Sequence, residues 1–181
     1  MNNSPYGNVG PQGPNSGDLA IAGLALGGLW LLWKLFFGKK KVFISYDHSE
    51  DVHYKRLLDA WNKNDKFQFE FDNRSPNHPI DSKDADVVKA QLTRLMKDAD
   101  YMLVIVGEKT HGSKWVNWEV QRALQPDVHL KLAVVKIDRD YDSPQALLRS
   151  GAAWAYRFTE QNVIDVLNRA ERGNQMRPEW A

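Results

Sequence analysis

A glutamate and a tryptophan at helical spacing are the residues of this chain with the most evident potential for chemistry. In the predicted helix from Ser113 to Leu124, an apolar stripe is formed by Val116, Val120, Ala123 and Leu124. Glu119 borders this stripe, and Trp115 lies one turn earlier on the same side. A carboxylate there is costly to desolvate unless it is paired or used. The helix alone leaves two interpretations open: an acid at a cleft, or a solvated ion pair between Glu119 and Arg122.

The composition limits what this helix can belong to. With 181 residues, 43% of them hydrophobic and 26% charged, the chain suits one globular domain with an appendage. The formal net charge of +1 offers no basic excess for binding nucleic acid. The absence of cysteine from the sequence excludes a disulfide framework and any thiolate metal site.

The amino-terminal part of the chain contains a polar segment followed by an apolar one. Residues 1–18 are rich in Asn, Gly, Pro and Ser and are predicted to be a disordered tail. Residues 19–37 carry a single charge, Lys34. As a helix they would be about 28 Å long, close to the thickness of a hydrocarbon core of about 30 Å. The sequence therefore predicts one transmembrane helix over residues 19–37.

Lysines at and after the end of this segment predict its orientation. Residues 38–41 read as a basic juxtamembrane linker, and no Lys or Arg precedes residue 19. The positive-inside rule then places the N-terminal tail outside and the rest of the chain in the cytoplasm, as a single-pass protein of the cell inner membrane. A cleaved signal peptide is disfavoured because its positive charge would precede the apolar run. Gly23 and Gly27 form a G-x-x-x-G step, which favours close packing of two such helices.

Strand and helix patterns alternate after the linker. Strands are predicted over residues 41–46, 67–71, 101–107, 130–138 and 154–158. Besides the Glu119 helix, three inward-facing helical stripes are predicted. The first is formed by Tyr54, Leu57, Leu58 and Trp61, and the second by Val87, Val88, Gln91, Leu92, Leu95 and Met96. The third is formed by Val163, Ile164, Leu167 and Ala170, in a helix that Thr159 is predicted to cap. The third strand is uniformly apolar and is predicted to be central, whereas the second alternates and is predicted to lie nearer an edge.

This order of elements predicts the fold class and the place of a site. It is typical of an α/β protein, a flavodoxin-like three-layer sandwich with a mostly parallel five-stranded sheet, here over residues 42–172 with a tail over 173–181. In such sheets a ligand crevice opens at the carboxyl ends of the first and third strands. The loops there are residues 46–49 and 107–113, and the second leads into the helix of Glu119. That placement favours a functional acid over the ion pair.

Three familiar uses of this crevice are disfavoured by the residues. A flavin or phosphate site would need free backbone N–H groups after the first strand, where the chain carries carboxylates instead. A receiver-type phosphorylation site would need an Asp at the end of the third strand, where Val106, Gly107 and Glu108 stand. A metal site is also disfavoured, because its potential ligands lie on a loop running into a helix and are expected to be solvated: His48, His53, Asp47 and Asp51.

Two motifs at matching positions resemble the signature of the TIR domain. The first is FISY at the end of the first strand, and the second is S-x-W-V-x-x-E at residues 113–119, after the third strand. The span from about Lys41 to Ala170 also has the element order of that fold. More narrowly, the chain is similar to the bacterial TIR-like domains of the Thoeris anti-phage defence system. The fold implied is thus the TIR-like form of the flavodoxin-like sandwich.

The resemblance implies a reaction and a set of residues. In enzymatic TIR domains the motif glutamate cleaves NAD at the bond between nicotinamide and ribose, a role that falls on Glu119. By matched position the substrate-binding residues are Tyr46, Asp47, His48, Asp72 and Trp115. A carboxylate beside the ribose can stabilise an oxocarbenium-like transition state, and Trp115 can stack on a ring of the substrate. NAD is then a substrate, and no cofactor and no metal are expected.

The chain departs from the family pattern in two places, and two classes of function remain open. Many TIR motifs carry Cys where this chain has Val116, and the loop over residues 72–82 has no clear match to the usual signature. The first function is an NAD-consuming enzyme that hydrolyses or cyclises its substrate in phage defence, with TIR-like domains that self-associate and a separate effector that senses the product. The second is a non-catalytic TIR scaffold. Either would contact membrane lipid through residues 19–37.

Overall fold

The computed structural model describes residues 39–49, 51–63, 69–72 and 83–171. The predicted tail over 1–18, the predicted transmembrane helix over 19–37, residues 73–82 of the long loop and the tail over 173–181 lie outside the described residues. No helix in the described part of the chain is long and apolar enough to cross a membrane.

The described domain is built on one sheet of five parallel strands. They are β1 (Lys40–Ser45), β2 (Phe69–Asp72), β3 (Tyr101–Val106), β4 (Lys131–Lys136) and β5 (Ala153–Ala155). Their spatial order is β2-β1-β3-β4-β5, and every neighbouring pair is parallel. The predicted parallel α/β sheet is confirmed, with β3 central and wholly buried and β2 at an edge.

Within the described residues, four helices cover the two faces of the sheet. They are α1 (Val52–Asn62), α2 (Ala85–Lys97), α3 (Lys114–Ala123) and α4 (Glu160–Glu171), and short 3-10 turns lie at Thr110–Gly112 and Gln145–Leu147. One core layer joins the sheet to α1 and α4, and the other joins it to α2 and α3. The domain is therefore the three-layer sandwich that the alternation of elements predicted.

The alternation of side chains along β1 is what brings a polar group to the Glu119 helix. Val42 and Ile44 pack in the layer of α1 and α4, whereas Phe43 packs in the layer of α2 and α3. Successive side chains of a strand point to opposite faces, so Ser45, two residues after Phe43, lies on the face that α3 covers. Ser45 is fully buried there.

Four predicted inward-facing residues are wrong, and for one reason. Leu57, Val87 and Leu124 are 44%, 67% and 39% exposed, and Gln91 is also exposed. In each case a residue beside it in sequence is buried instead, namely Leu58, Val88, Ala123 and Leu92. Consecutive helical residues are about 100° apart around the axis, so only one of each pair can face the sheet squarely.

Several element boundaries differ slightly from the predicted ones. β5 begins at Ala153, one residue before its predicted start, and ends at Ala155. β1 begins at Lys40, so Lys40 and Lys41 belong to the strand rather than to a linker, and they form ion pairs with Glu171 and Asp98 at 2.9 and 2.7 Å. The predicted cap of α4 is confirmed, since the Thr159 hydroxyl oxygen accepts a hydrogen bond from the N–H of Asn162 at 3.2 Å.

Candidate active site

Glu119 lies on the buried side of α3, against the end of β1. Its side chain is only 4% exposed. The hydroxyl of Ser45 donates a hydrogen bond to Glu119 Oε2 at 2.5 Å. The two residues are 74 positions apart in sequence, so this contact depends on α3 packing over the carboxyl end of β1.

The ion pair with Arg122 that the helix alone allowed does not form. Arg122 turns away from Glu119 and makes a two-pronged contact with Asp127, at 2.7 and 2.6 Å, while its Nε donates to the hydroxyl of Thr93 at 3.2 Å. The carboxylate of Glu119 is thus separated from the basic group nearest to it on its own helix. The interpretation of Glu119 as a solvated surface acid is wrong.

Burial changes the acidity of Glu119. Removal from water raises the pKa of Glu119 from 4.5 to about 8, and the hydrogen bond from Ser45, which favours the charged form, opposes this only in part. Near neutral pH the isolated domain therefore holds Glu119 mainly as the neutral acid. Strongly perturbed carboxyl groups of this kind in a cleft are typical of functional sites.

A small cavity opens above this carboxyl group. Its volume is about 140 Å³, and its lining residues come from the loop after β1 and from the start of α3: Tyr46, Asp47, His48, Ser49, Ser113, Trp115 and Glu119. Five of the six predicted site residues are thereby brought together, at the carboxyl ends of the adjacent strands β1 and β3. The sixth, Asp72, ends the edge strand β2, where its backbone is in register with Phe43 of β1.

The loop after β1 holds its polar groups in a defined arrangement. The Asp47 carboxylate accepts hydrogen bonds from both the backbone N–H of Ser49, at 2.9 Å, and the Ser49 hydroxyl. The Tyr46 hydroxyl lies 3.0 Å from Nδ1 of His48. An Asp that bonds the backbone two residues later fixes a turn, so Asp47 shapes this wall of the cavity.

A buried carboxylate joins the loops after β1 and β3. The prediction that Asp51 is solvated is wrong, because this residue is only 3% exposed. Its Oδ2 accepts a hydrogen bond from the Thr110 hydroxyl at 3.1 Å, and Thr110 Oγ1 accepts one from the N–H of Gly107 at 2.8 Å. A Cβ atom at Gly107 would overlap the carboxylate of Asp51, so this close approach requires glycine. Asp51 is therefore a structural tie between the loops. Among the described residues, no group of three or more His, Asp or Glu is placed to hold a metal.

The start of α3 fixes the opposite wall. Ser113 is the N-cap residue, and its side chain accepts a hydrogen bond from the N–H of Val116 at 3.5 Å. Trp115 follows in the first turn, half buried, with its ring 5.7 Å from that of Trp118 in an edge-to-face contact. The cap and this aromatic pair orient the indole of Trp115 at the cavity.

Three serines of the site were not among the predicted site residues, although Ser49 and Ser113 belong to the two predicted crevice loops. Ser49 and Ser113 line the cavity, and Ser45 donates to Glu119. The signal for Ser45 was present, because a polar residue directly follows three apolar residues of a buried strand and needs a partner. The sequence could not say which partner, since that depends on which helix covers the strand.

Comparison with known proteins shows the family to which the chain belongs. The family described as Thoeris protein ThsB, TIR-like domain, matches residues 43–143, which is more than half of the chain. Among solved structures, 14 chains match. One is a chain of the TIR domains in the activated Roq1 resistosome directly recognizing the pathogen effector XopQ, with 12% identity, coverage of 73% of this chain and 71% of that chain, and a TM-score of 0.36. No curated protein sequence matches. On the strength of the family match, this chain belongs to the Thoeris-type TIR-like domains.

Proposed function

We propose that this protein cleaves NAD at the bond between nicotinamide and ribose, in bacterial anti-phage defence, with Glu119 as the catalytic residue. The observation that carries the proposal is the buried carboxyl group of Glu119, which borders a small cavity. This group accepts a hydrogen bond from Ser45 and is not paired with Arg122, which binds Asp127 instead. Membership of the Thoeris-type family supports the setting in defence.

The charge of the substrate would complete the site. The nicotinamide ring of NAD is cationic, and a positive charge about 4 Å from the carboxylate favours its ionised form by about 4 kcal/mol at an effective dielectric constant of about 20. That energy lowers a pKa by about 3. It would bring the pKa of Glu119 from about 8 back below neutrality. Binding of the cationic ring would thus expel the proton and produce the carboxylate that the reaction needs.

The ionised Glu119 would act on the ribose as the bond breaks. The bond between the anomeric carbon and the ring nitrogen cleaves, its electron pair leaves with nicotinamide as a neutral molecule, and positive charge develops on the ribose. A carboxylate in a site of low polarity stabilises that charge directly or by a transient covalent bond. Water then adds to the anomeric carbon and loses a proton to give ADP-ribose. Attack by a nucleophilic atom of the same molecule would give a cyclic product instead.

The other predicted residues would bind the substrate around this carboxyl group. The indole of Trp115 would stack on the nicotinamide ring and exclude water. Tyr46, Asp47 and His48 would contact the ribose from the loop after β1. Asp72 would contribute from the end of β2, the strand next to β1.

The deciding experiment measures nicotinamide release. The full-length wild type and Glu119→Gln are incubated with NAD, with and without forced clustering, and nicotinamide is followed by chromatography. Replacing the carboxylate by an amide of the same shape should cost several kcal/mol of barrier, on the order of a 100-fold or greater loss of rate. Asp127→Asn is the matched control, because it makes the same chemical change at an exposed carboxylate beyond the carboxyl-terminal end of α3, and it should retain the wild-type rate.

Each outcome of this experiment has a meaning. Equal release from wild type and Glu119→Gln would remove Glu119 from the mechanism. No release from any protein, under clustering and under phage challenge, would favour the second candidate, a non-catalytic TIR scaffold that recruits partners. On that alternative, Glu119→Gln should leave partner binding and protection against phage unchanged.

We propose further that residues 19–37 anchor the protein in the cell inner membrane with the TIR-like domain in the cytoplasm, and that its TIR-like domains self-associate. The apolar composition of that segment and the lysines after it support the anchor. Protease treatment of spheroplasts should spare the residues after Gly38. Digestion of these residues from outside would show that the proposed orientation is wrong. Recovery of the full-length protein in the soluble fraction would show that the proposed anchor is wrong.

The apolar segment also offers a test of self-association. Replacing Gly23 and Gly27 with Ile should lower the yield of a crosslinked dimer in membranes if the helices pack closely. An unchanged yield would leave association to the TIR-like domains alone.

The released nucleotide would act on a separate effector. The supernatant of the wild-type reaction with NAD should activate this effector, and the supernatant of the Glu119→Gln reaction should not.

A further inference from the structure

A second and larger cavity lies along the same edge of the sheet. Its volume is about 780 Å³, within the range of about 300–1,000 Å³ that is typical of small-molecule sites. It opens at the carboxyl ends of β4 and β5, and its wall includes Lys136, Arg139, Asp140, Asp142, Trp154 and Tyr156. The cavity of Glu119, at about 140 Å³, is too small for a whole dinucleotide.

The side-chain ammonium group of Lys136, in the wall of this cavity, has more hydrogen-bond donors than partners. It is the last residue of β4 and only 8% exposed. Its Nζ donates to the backbone carbonyl of Arg139 at 2.7 Å, and no carboxylate lies within ion-pair distance among the described residues. Burial lowers the pKa of Lys136, against the weaker opposing effects of Asp142, Asp140 and Asp138. A buried ammonium with donors to spare is stabilised by an anionic oxygen.

The other residues of the wall are suited to bind a base and a ribose. The guanidinium of Arg139 lies 5.6 Å from the ring centroid of Tyr156, which forms a flat cationic and aromatic surface of the kind on which bases stack. Asp140 and Asp142 repel a free phosphate but are suited to accept hydrogen bonds from ribose hydroxyls. One wall therefore combines groups for a phosphate, a ribose and a base.

Asn117 connects this cavity to the one at Glu119. Its side-chain oxygen accepts a hydrogen bond from the N–H of Ala146 at 3.1 Å, beside Gln145 in the wall of the large cavity. Its side-chain nitrogen donates to the carbonyl of Ser113 at 3.0 Å and to that of His111 at 3.4 Å. Ser113 lines the small cavity and His111 the large one, so a single amide fixes the segment between them.

We propose that the cavity at the ends of β4 and β5 binds a nucleoside phosphate, with Lys136 at the phosphate, Arg139 and Tyr156 at the base, and Asp140 and Asp142 at the ribose. The nucleoside phosphate is either the adenylate half of a dinucleotide whose other half lies at Glu119, or a separate free nucleotide. The first source rests on the proposed function. The binding of a nucleoside phosphate does not.

Calorimetric titration of the full-length protein with AMP tests the binding. Wild type should bind AMP more tightly than adenosine or inorganic phosphate, because each of these lacks part of the contact set. Lys136→Met and Arg139→Gln should weaken AMP binding on the order of tenfold or more, the loss typical of one charge-assisted hydrogen bond or stacked cation. Arg139 is exposed, so its replacement keeps the test valid if Lys136→Met perturbs folding. Arg157→Gln, at an exposed arginine outside the cavity, is the control and should bind like wild type.

Kinetic measurements distinguish the two sources of the nucleoside phosphate, the adenylate half of the substrate and a separate free nucleotide. If the cavity holds half of the substrate, Lys136→Met should raise KM for NAD about tenfold and leave kcat/KM for nicotinamide mononucleotide, which has no adenylate, unchanged. If it holds a free nucleotide, AMP binding should fall while KM for NAD stays the same. Glu119→Gln should bind AMP normally, so a protein that releases no nicotinamide can still confirm this site. Absence of AMP binding to wild type, or equal binding by Lys136→Met, Arg139→Gln and wild type, overturns the proposal.

Discussion

A carboxylate within α3, that of Glu119, and one just beyond the carboxyl-terminal end of α3, that of Asp127, show how packing decides the chemistry of an acid. Asp127 is 51% exposed and lies within 2.9 Å of Lys97 and 2.6 Å of Arg122, which hold the pKa of its carboxyl group well below its usual value. Glu119 is buried, has a serine hydroxyl as its partner, and has a pKa raised to about 8. One acid has charge partners and solvent, and the other has neither.

The difference indicates which carboxylate is available for catalysis. Asp127 is neutralised by Arg122 and Lys97 and links α3 to α2 at the surface. Glu119 keeps its capacity to gain a cationic partner, and the cavity beside it is where such a partner can bind. A buried acid without a cation is costly to the folded state, and this cost is typical of functional sites.

The largest expected effect is on stability as a function of pH. Between pH 4.5 and 8 the folded state retains the proton of Glu119 that the unfolded state has released, so the contribution of this group to stability falls as pH rises, by about 1.4 kcal/mol per pH unit. Glu119→Gln has no titrating group at this position. Its free energy of unfolding, relative to that of wild type, should therefore be several kcal/mol higher at pH 8 than at pH 4. Urea denaturation at both pH values measures this. A pH-independent difference would mean that the pKa of Glu119 is not raised.

The second prediction concerns the pH dependence of the proposed reaction. In the free enzyme Glu119 must ionise before it can act, so kcat/KM for NAD should rise about tenfold per pH unit below pH 8 and level off above it. In kcat, which reports the complex with the cationic substrate, the same rise, the rising limb of the pH profile, should occur at lower pH. Initial rates of nicotinamide release from pH 5 to 9 give the pH profiles of kcat/KM and of kcat. Rising limbs at the same pH in the two profiles would contradict ionisation of Glu119 by the substrate.

The third prediction isolates Ser45. Its hydroxyl donates to the carboxylate and so favours the charged form, and Ser45→Ala should raise the pKa of Glu119 further. The rising limb of kcat/KM should move to higher pH by about one unit, from the loss of one hydrogen bond to a charged group. Ser49→Ala, at a serine that bonds Asp47 instead, is the matched control and should leave the limb in place.

The smallest effect is expected at the other carboxylate. Asp127→Asn removes an exposed ion pair, so its cost in stability should be small and should shrink further in high salt. Because the pKa of Asp127 is lowered by its partners, that contribution is present above the unfolded-state pKa and disappears as pH falls through the folded-state value. Thermal melts at two salt concentrations test it. A loss that is large or insensitive to salt would contradict the contrast with Glu119.

The elements of the fold were largely predictable from local pattern. The uniformly apolar stretch at residues 101–107 gave the central strand, and the order of strands and helices gave the parallel sheet. The errors lie where pattern is ambiguous by one residue, as at Leu57 and Val87, whose neighbours occupy the inward positions. The site was predictable in outline because the carboxyl ends of β1 and β3 meet at one edge, which placed Tyr46 and Trp115 around Glu119.

By itself, then, the sequence determined an acid in a helix beside a predictable crevice, because hydrophobic periodicity is a local property that the chain carries residue by residue. It did not determine the state of that acid. Whether Glu119 pairs with Arg122 or is buried against Ser45 depends on a contact across 74 residues, and burial is a property of packed layers rather than of any segment. The large cavity at Lys136 likewise arises where the ends of β4 and β5, the loop after β4 and the turn before α3 converge, which only the tertiary structure brings together.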